Sequence, residues 1–121
     1  MIAWQVIGYG ATLSALAAGG AVAAVARGHR ARAAAGAAVG AAAGPIAWNA
    51  ILRATHGDNF FVDAPVSVFP VSWQDTGSGV FALAATALLL GLLLGDRPPR
   101  RVTGYATLAA LAAFLVDIYL Y

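Results

Sequence analysis

The chain has few side chains that could bind a ligand or catalyse a reaction, and Asp117 is the most informative of them. It interrupts the apolar segment 112–121, four residues before the C-terminus. An ionised carboxylate in a lipid-facing position is costly, so Asp117 should turn inward and meet a partner. Arg53 is the only Arg outside two short basic segments, and we expect it to pair with Asp117. The pair is either a structural lock between two helix ends or a site that binds a cation or proton or acts as an acid.

Further candidates for acid/base chemistry lie in one segment, residues 53–75. They are His56, Asp58, Asp63 and Asp75. Positioned carboxyl and imidazole groups can transfer protons to and from a substrate. Together with Asp117 they are the catalytic candidates if the protein is an isomerase or cyclase acting on a lipid-soluble substrate.

The same segment does not predict a metal or cofactor site. The spacing of His56, Asp58 and Asp63 matches no calcium loop, and one His without any Cys is a poor zinc site. The chain has neither a Gly-x-Ser-x-Gly elbow nor a Gly-rich phosphate loop. Ser72 and Ser78 are expected in a loop, where each is better suited to cap a helix than to attack a substrate. We therefore expect no metal and no cofactor.

The amino-acid composition indicates what kind of secondary structure carries these residues. Of 121 residues, 61% are hydrophobic and 10% are charged, and the mean hydropathy is +0.79. A soluble domain carries about 25% charged residues, so we expect a membrane protein. Apolar stretches cover residues 2–26, 33–52, 76–95 and 102–120, each close to the roughly 20 residues that cross a bilayer as a helix. The predicted fold class is all-α integral membrane, with residues 1–121 as a single four-helix domain and Asp75 as N-cap of the third helix.

The arginines predict the orientation of these helices. Six of the seven Arg residues lie in segments 27–32 and 96–101, and positively charged short loops stay in the cytoplasm. Both termini and the long loop 53–75 then face the outside, in the plasma membrane of a bacterium or archaeon. The formal charge of +2 gives no basic surface broad enough for nucleic acid.

Polar and aromatic side chains gather at the predicted outer side. Because helix ends and the loop 53–75 meet there, residues from separate parts of the chain come to one depth. The loop is apolar and contains two Pro residues, so we expect a lid rather than a solvated linker. The predicted ligand-binding residues beneath and within it are Gln5, Trp48, Asn49, Arg53, Trp73, Gln74 and Tyr119.

Glycines at four-residue spacing predict close helix packing. Gly36, Gly40 and Gly44 share one face of the second helix, a glycine-zipper pattern that lets two backbones approach. The spacing leaves open whether this face packs within the monomer or between subunits. The third span is rich in Leu, so we expect it to form a lipid-facing wall while the first, second and fourth spans make the tight core.

These observations favour a small, oligomeric membrane protein that binds a ligand or partner in a lidded polar-aromatic pocket at the outer face. The bilayer, further copies of the chain or a larger membrane complex, and a lipid-like small molecule are the expected partners. An enzyme using Asp acid/base chemistry on a lipid-soluble substrate is the first alternative. A small oligomeric transporter or channel is the second, although a path through an inner half without charged residues is hard to build.

Overall fold

A computed structural model of the protein describes residues 3–26, 28–57, 71–95 and 97–120. The regular structure in these ranges consists of four helices, α1 (Trp4–Val25), α2 (Arg30–Thr55), α3 (Trp73–Leu93) and α4 (Pro99–Leu120). Each of the four is long and apolar enough to cross a membrane. The prediction of an all-helical chain with four membrane-length helices is therefore confirmed for the described part of the chain, while its orientation in the membrane stays a prediction.

The start of α3 corrects one sequence-based expectation. Ser72, not Asp75, is the N-cap. Its hydroxyl accepts a hydrogen bond from the backbone N–H of Asp75 at 3.2 Å, and the Asp75 carboxylate accepts the backbone N–H of Ser72 at 2.8 Å. This reciprocal pair is a capping box, which satisfies two N–H groups that no helical carbonyl can reach. The helix consequently begins at Trp73, and Ser78 lies inside it rather than in a loop.

Neighbouring helices run antiparallel. Along the α2–α3 contact, Gly36 faces Leu90 and Gly44 faces Ala82, so the numbering rises on one helix as it falls on the other. The α1–α2 contact follows the same rule, with Gly19 against Ala38 and, further along α1, Ala26 beside Ala33. We call the end where α1 and α3 begin and α2 and α4 end the termini end, and the opposite end, at residues 26–30 and 94–99, the hairpin end.

The glycine face of α2 packs against α3, which corrects the expected role of the third helix. A Cβ placed on Gly40 would lie 2.6 Å from the Thr86 Cα, and one on Gly44 would lie 2.5 Å from the Ala82 Cα. Only glycine allows backbones to approach this closely. α3 therefore belongs to the tight core, and its Leu residues divide between the buried Leu90 and positions on the outer surface.

The core is made largely of small side chains. Ten of the sixteen buried hydrophobic residues in the described part of the chain are alanine, whereas many of the large apolar side chains are exposed. Leu92, for example, is 84% exposed. In water such a surface would drive aggregation, but in a bilayer it contacts lipid chains. Small residues inside and large apolar residues outside are therefore the pattern of a membrane bundle.

Arginines hold the hairpin end together. The Arg32 guanidinium donates to the Leu93 carbonyl at 3.0 Å, so a cation meets the carbonyl end of α3, where the helix dipole favours positive charge. Arg30 donates to the Ala26 carbonyl at 3.3 Å. Pro99 begins α4, a position at which its missing N–H and fixed φ favour the helix start.

Candidate functional site

A buried polar network lies between α2 and α3 near the termini end. The Gln74 amide donates to the Ser78 hydroxyl at 3.1 Å and makes a longer contact of 3.5 Å to the Asn49 side-chain oxygen. The Asn49 amide donates to the Pro45 carbonyl at 2.9 Å. Gln74, Ser78 and Asn49 are all buried. Polar groups inside a membrane protein cannot hydrogen-bond to water, so they bond to groups on neighbouring helices. The network therefore holds α2 against α3 at this depth.

The capping box of α3 extends this polar region towards the connection between α2 and α3. Ser72 and Asp75 are both buried, and the Thr76 hydroxyl donates to the Ser72 carbonyl at 3.1 Å. Since residues 72 to 78 form fewer than two helical turns, the capping box and the amide network share one end of one helix. Asp75, a catalytic candidate from the sequence, is thereby engaged in holding the start of α3.

Asp117 is buried near the end of α4. Phe114, one turn earlier, lies against Gly79, where a Cβ would be 3.2 Å from the phenylalanine Cβ. Since α3 and α4 run antiparallel here, Asp117 is level with the start of α3. The Arg53 guanidinium lies over the Trp4 ring, 4.7 Å from its centroid. The Asp117–Arg53 pair itself stays a prediction.

An aromatic contact closes the α2–α3 interface beside the network. The rings of Trp48 and Phe81 are 5.2 Å apart between centroids and tilted by 53°, a favourable geometry for two aromatic rings. Gly77 lies under Trp48 so closely that any Cβ would overlap the indole ring. Trp48 is thus a partly buried packing residue adjacent to Asn49, as well as a predicted ligand-binding residue.

Other predicted site residues lie on the surface of the bundle. Gln5, Trp73 and Tyr119 are exposed at the termini end, with 71% exposure for Trp73 and 51% for Tyr119. They lie at the same end of the bundle as the buried network, at the level where aromatic side chains meet a membrane interface. The sequence groups these residues at one end of the bundle, but only the packing of the helices distinguishes the buried members from the exposed ones.

The loop candidates are described only in part. His56 ends α2 in the left-handed conformation with φ of 55°. Asp58 and Asp63, together with most of the expected lid, lie outside the described residues. Among the residues that the structure describes, no group of three or more His, Cys, Asp or Glu side chains is placed to hold a metal ion.

An apolar groove between α3 and α4, which the sequence did not indicate, opens beside the capping box. Its volume is about 250 Å³, and its lining includes Thr76, Gly79, Val80, Leu83, Ala110, Leu111 and Phe114. Two small residues, Gly79 and Ala110, line the groove beside larger ones such as Leu83 and Leu111. These two small residues are visible in the sequence, but they indicate a groove only once α3 and α4 are known to be adjacent.

The termini end therefore places an apolar groove next to hydrogen-bonding groups. Thr76 belongs to both, since it lines the groove and donates to Ser72. Comparisons of the chain with protein-family models, with curated proteins and with solved structures find no match. The inference to function consequently rests on this geometry.

Proposed function

We propose that this integral membrane protein binds an amphipathic, lipid-like molecule at its termini end. The observation that carries the proposal is the meeting of the α3–α4 groove with the polar start of α3 at Thr76. An apolar chain along the groove and a polar group at its mouth would each contact a surface of matching polarity. The buried network of Asn49, Gln74 and Ser78 would hold the mouth in a fixed shape.

The dimensions of the groove favour a single chain as the apolar part of the ligand. Its volume of about 250 Å³ lies below the roughly 300–1,000 Å³ of sites for drug-sized molecules. Val80, Leu83 and Leu111 line it on the membrane side. Burial of a hydrocarbon chain against such walls competes with burial in lipid, so the polar group must supply the selectivity.

The proposal includes an orientation. The termini end faces outside and the hairpin end faces the cytoplasm, because the arginines concentrate at the hairpin end. The connection between α2 and α3 is then on the outer side. A cysteine introduced at Ser67 should react with a membrane-impermeant reagent added outside intact cells. Labelling only after the cells are opened would contradict this orientation.

The proposal also includes assembly, as a homo-oligomer or as a subunit of a larger membrane complex. Gly8 supports it, since a Cβ at this position would meet open space and a small exposed residue lets another helix approach. Cross-linking in native membranes should give a discrete band above the monomer mass of 12.2 kDa. Monomer alone at every cross-linker concentration would contradict assembly.

Ligand binding is tested by identifying what co-purifies with the protein. Ala110→Leu places a larger side chain in the groove, and Ala24→Leu makes the same change at an exposed position of α1. Mass spectrometry of extracts from the purified proteins should find a lipid-like molecule in the wild type and in Ala24→Leu. We expect it to be reduced at least tenfold in Ala110→Leu. Equal amounts in all three proteins would contradict the proposed site.

A further inference from the structure

We propose that the α3–α4 groove at the termini end selects a neutral long-chain alcohol, whose hydroxyl donates a hydrogen bond to Thr76. This inference rests on the proposed function and defines the polar group of the ligand. Two side-chain hydroxyls, those of Thr76 and Thr107, line the groove. The other lining residues in the described part of the chain are glycine, alanine and larger apolar residues. The two hydroxyls are therefore the polar side-chain groups that a ligand there would meet.

Both hydroxyls have already donated their hydrogen atoms. Thr76 Oγ1 donates to the Ser72 carbonyl at 3.1 Å, and Thr107 Oγ1 donates to the Thr103 carbonyl at 2.8 Å. A hydroxyl has one hydrogen to donate and two lone pairs that accept, so each oxygen offers lone pairs to the groove. A ligand hydroxyl finds an acceptor in either of them. An ether oxygen, which only accepts, finds no donor on these side chains.

The groove offers no counter-ion to a charged headgroup. Its lining, among the residues that the structure describes, contains no Arg, His or Asp side chain. The carboxylate of Asp75, which precedes Thr76, accepts the backbone N–H of Ser72 at 2.8 Å and is buried. It places negative charge at the positive end of the α3 dipole, where it opposes the binding of an anion. Because an ionised group without a partner is costly at membrane depth, the groove favours a neutral ligand.

The depth of the two hydroxyls decides which of them meets the polar group of the ligand. Gly79 lies against Phe114, and α3 and α4 run antiparallel, so Thr107 is level with a point roughly ten residues after Thr76, or about 15 Å deeper. Thr76 lies in the first turn of α3, whereas Thr107 is near the middle of the membrane-length helix α4. The hydroxyl of an amphipathic molecule stays near the membrane interface, so it meets Thr76. The hydrocarbon chain then follows the apolar lining towards Thr107.

The test measures competition for the binding of radiolabelled dodecanol to the detergent-purified protein. The unlabelled competitors are dodecanol, dodecyl methyl ether, dodecanoate and dodecylammonium, which share a chain and differ in their polar group. Mildly alkaline buffer keeps the last two ionised. Thr76→Val removes the acceptor and keeps a branched side chain. Thr12→Val makes the same change at an exposed position of α1, where the hydroxyl donates to the Gly8 carbonyl in the same way. Circular dichroism identifies the variants that fold.

In the wild type, dodecanol should compete best. The ether should compete about fivefold less well, the effect of one neutral hydrogen bond, and each ion about tenfold less well or worse. Thr76→Val should weaken dodecanol binding about fivefold, to the level of the ether, whereas Thr12→Val should not change it. Equal competition by dodecanol and its ether, stronger competition by either ion, or unchanged dodecanol binding in folded Thr76→Val would overturn the inference. The competitor series in the wild type decides the matter even if Thr76→Val does not fold.

A groove-filling variant separates this inference from the proposed function. Ala110→Leu should reduce the binding of every probe. If it does so while the wild type does not distinguish the four polar groups, the groove binds hydrocarbon chains and only the inference of an alcohol is wrong. If dodecanol does not bind saturably, or binds Ala110→Leu as tightly as the wild type, the proposed function is wrong and this inference is wrong with it.

Discussion

The close approach of α2 and α3 predicts a graded response to Gly→Ala substitutions along one helix face. At Gly44 the new methyl group would lie 2.5 Å from the Ala82 Cα and 2.7 Å from the Phe81 carbonyl carbon. Both are backbone atoms, so the helices must separate. At Gly36 the nearest atom is the Leu90 Cδ2 at 2.6 Å, the end of a side chain that can rotate away.

The change in unfolding free energy of each Gly→Ala variant is the sum of two opposing effects. Alanine improves helix propensity by about 1 kcal/mol over glycine, whereas forcing a methyl group into a packed core costs about 1–3 kcal/mol. Because the new methyl group of Gly44→Ala would contact backbone atoms, its packing cost should lie at the upper end of this range. After subtraction of the gain in helix propensity, we expect the unfolding free energy to fall by about 1–2 kcal/mol. Gly36→Ala should be near neutral. Gly20→Ala, where a Cβ meets nothing within 4 Å, should be neutral or stabilising.

The assay is unfolding in mixed micelles by increasing mole fraction of sodium dodecyl sulfate, followed by far-ultraviolet circular dichroism. A loss of 1.4 kcal/mol lowers the folding equilibrium constant about tenfold, which moves the transition measurably. The expected order of stability is Gly20→Ala, then Gly36→Ala, then Gly44→Ala. If Gly44→Ala is as stable as Gly20→Ala, the close α2–α3 contact is wrong.

Three further predictions concern the termini end and use the same unfolding titration. Ser72→Ala removes the N-cap of α3 and should cost about 1 kcal/mol; an unchanged transition would contradict the capping box. Gln74→Leu should lower the unfolding free energy by about 1–3 kcal/mol, because it leaves buried polar partners unsatisfied. The double variant Gln74→Leu/Asn49→Leu should lose less than the sum of the two single variants. Strictly additive losses would argue against the network. If Asp117 and Arg53 pair, Asp117→Ala and Arg53→Ala are non-additive, and additive losses would refute the pair.

The number and type of helices could be predicted because they depend on local composition. Crossing a bilayer needs a long apolar stretch, and basic or Pro-containing segments interrupt such stretches in the sequence. The predicted start of the third helix lies three residues after the observed start. The reason is that Ser72 and Asp75 form a capping box in which Asp replaces the more usual Glu or Gln. The sequence contains this pattern, but with Asp in the fourth position it also fits a cap formed by Asp75 alone.

Which helix faces meet could not be predicted, because this depends on all four helices at once. The Leu run of α3 indicated a lipid-facing wall, yet Ser78, Ala82 and Thr86 form a small face on the same helix, and that face is buried. The spacing of these three residues was as regular as that of the α2 glycines. The α3–α4 groove was missed for the same reason, since Gly79 and Ala110 matter only when paired.

Photo-crosslinking tests whether a lipid-like molecule binds in the α3–α4 groove. A long-chain alcohol carrying a diazirine would be activated on the wild type in detergent, and the modified residues mapped by peptide mass spectrometry. We predict that modification concentrates at Val80, Leu83 and Leu111 and falls in Ala110→Leu. Modification equally frequent at Leu16 and Leu88, which are 69% and 72% exposed on the bundle surface, would contradict the claim.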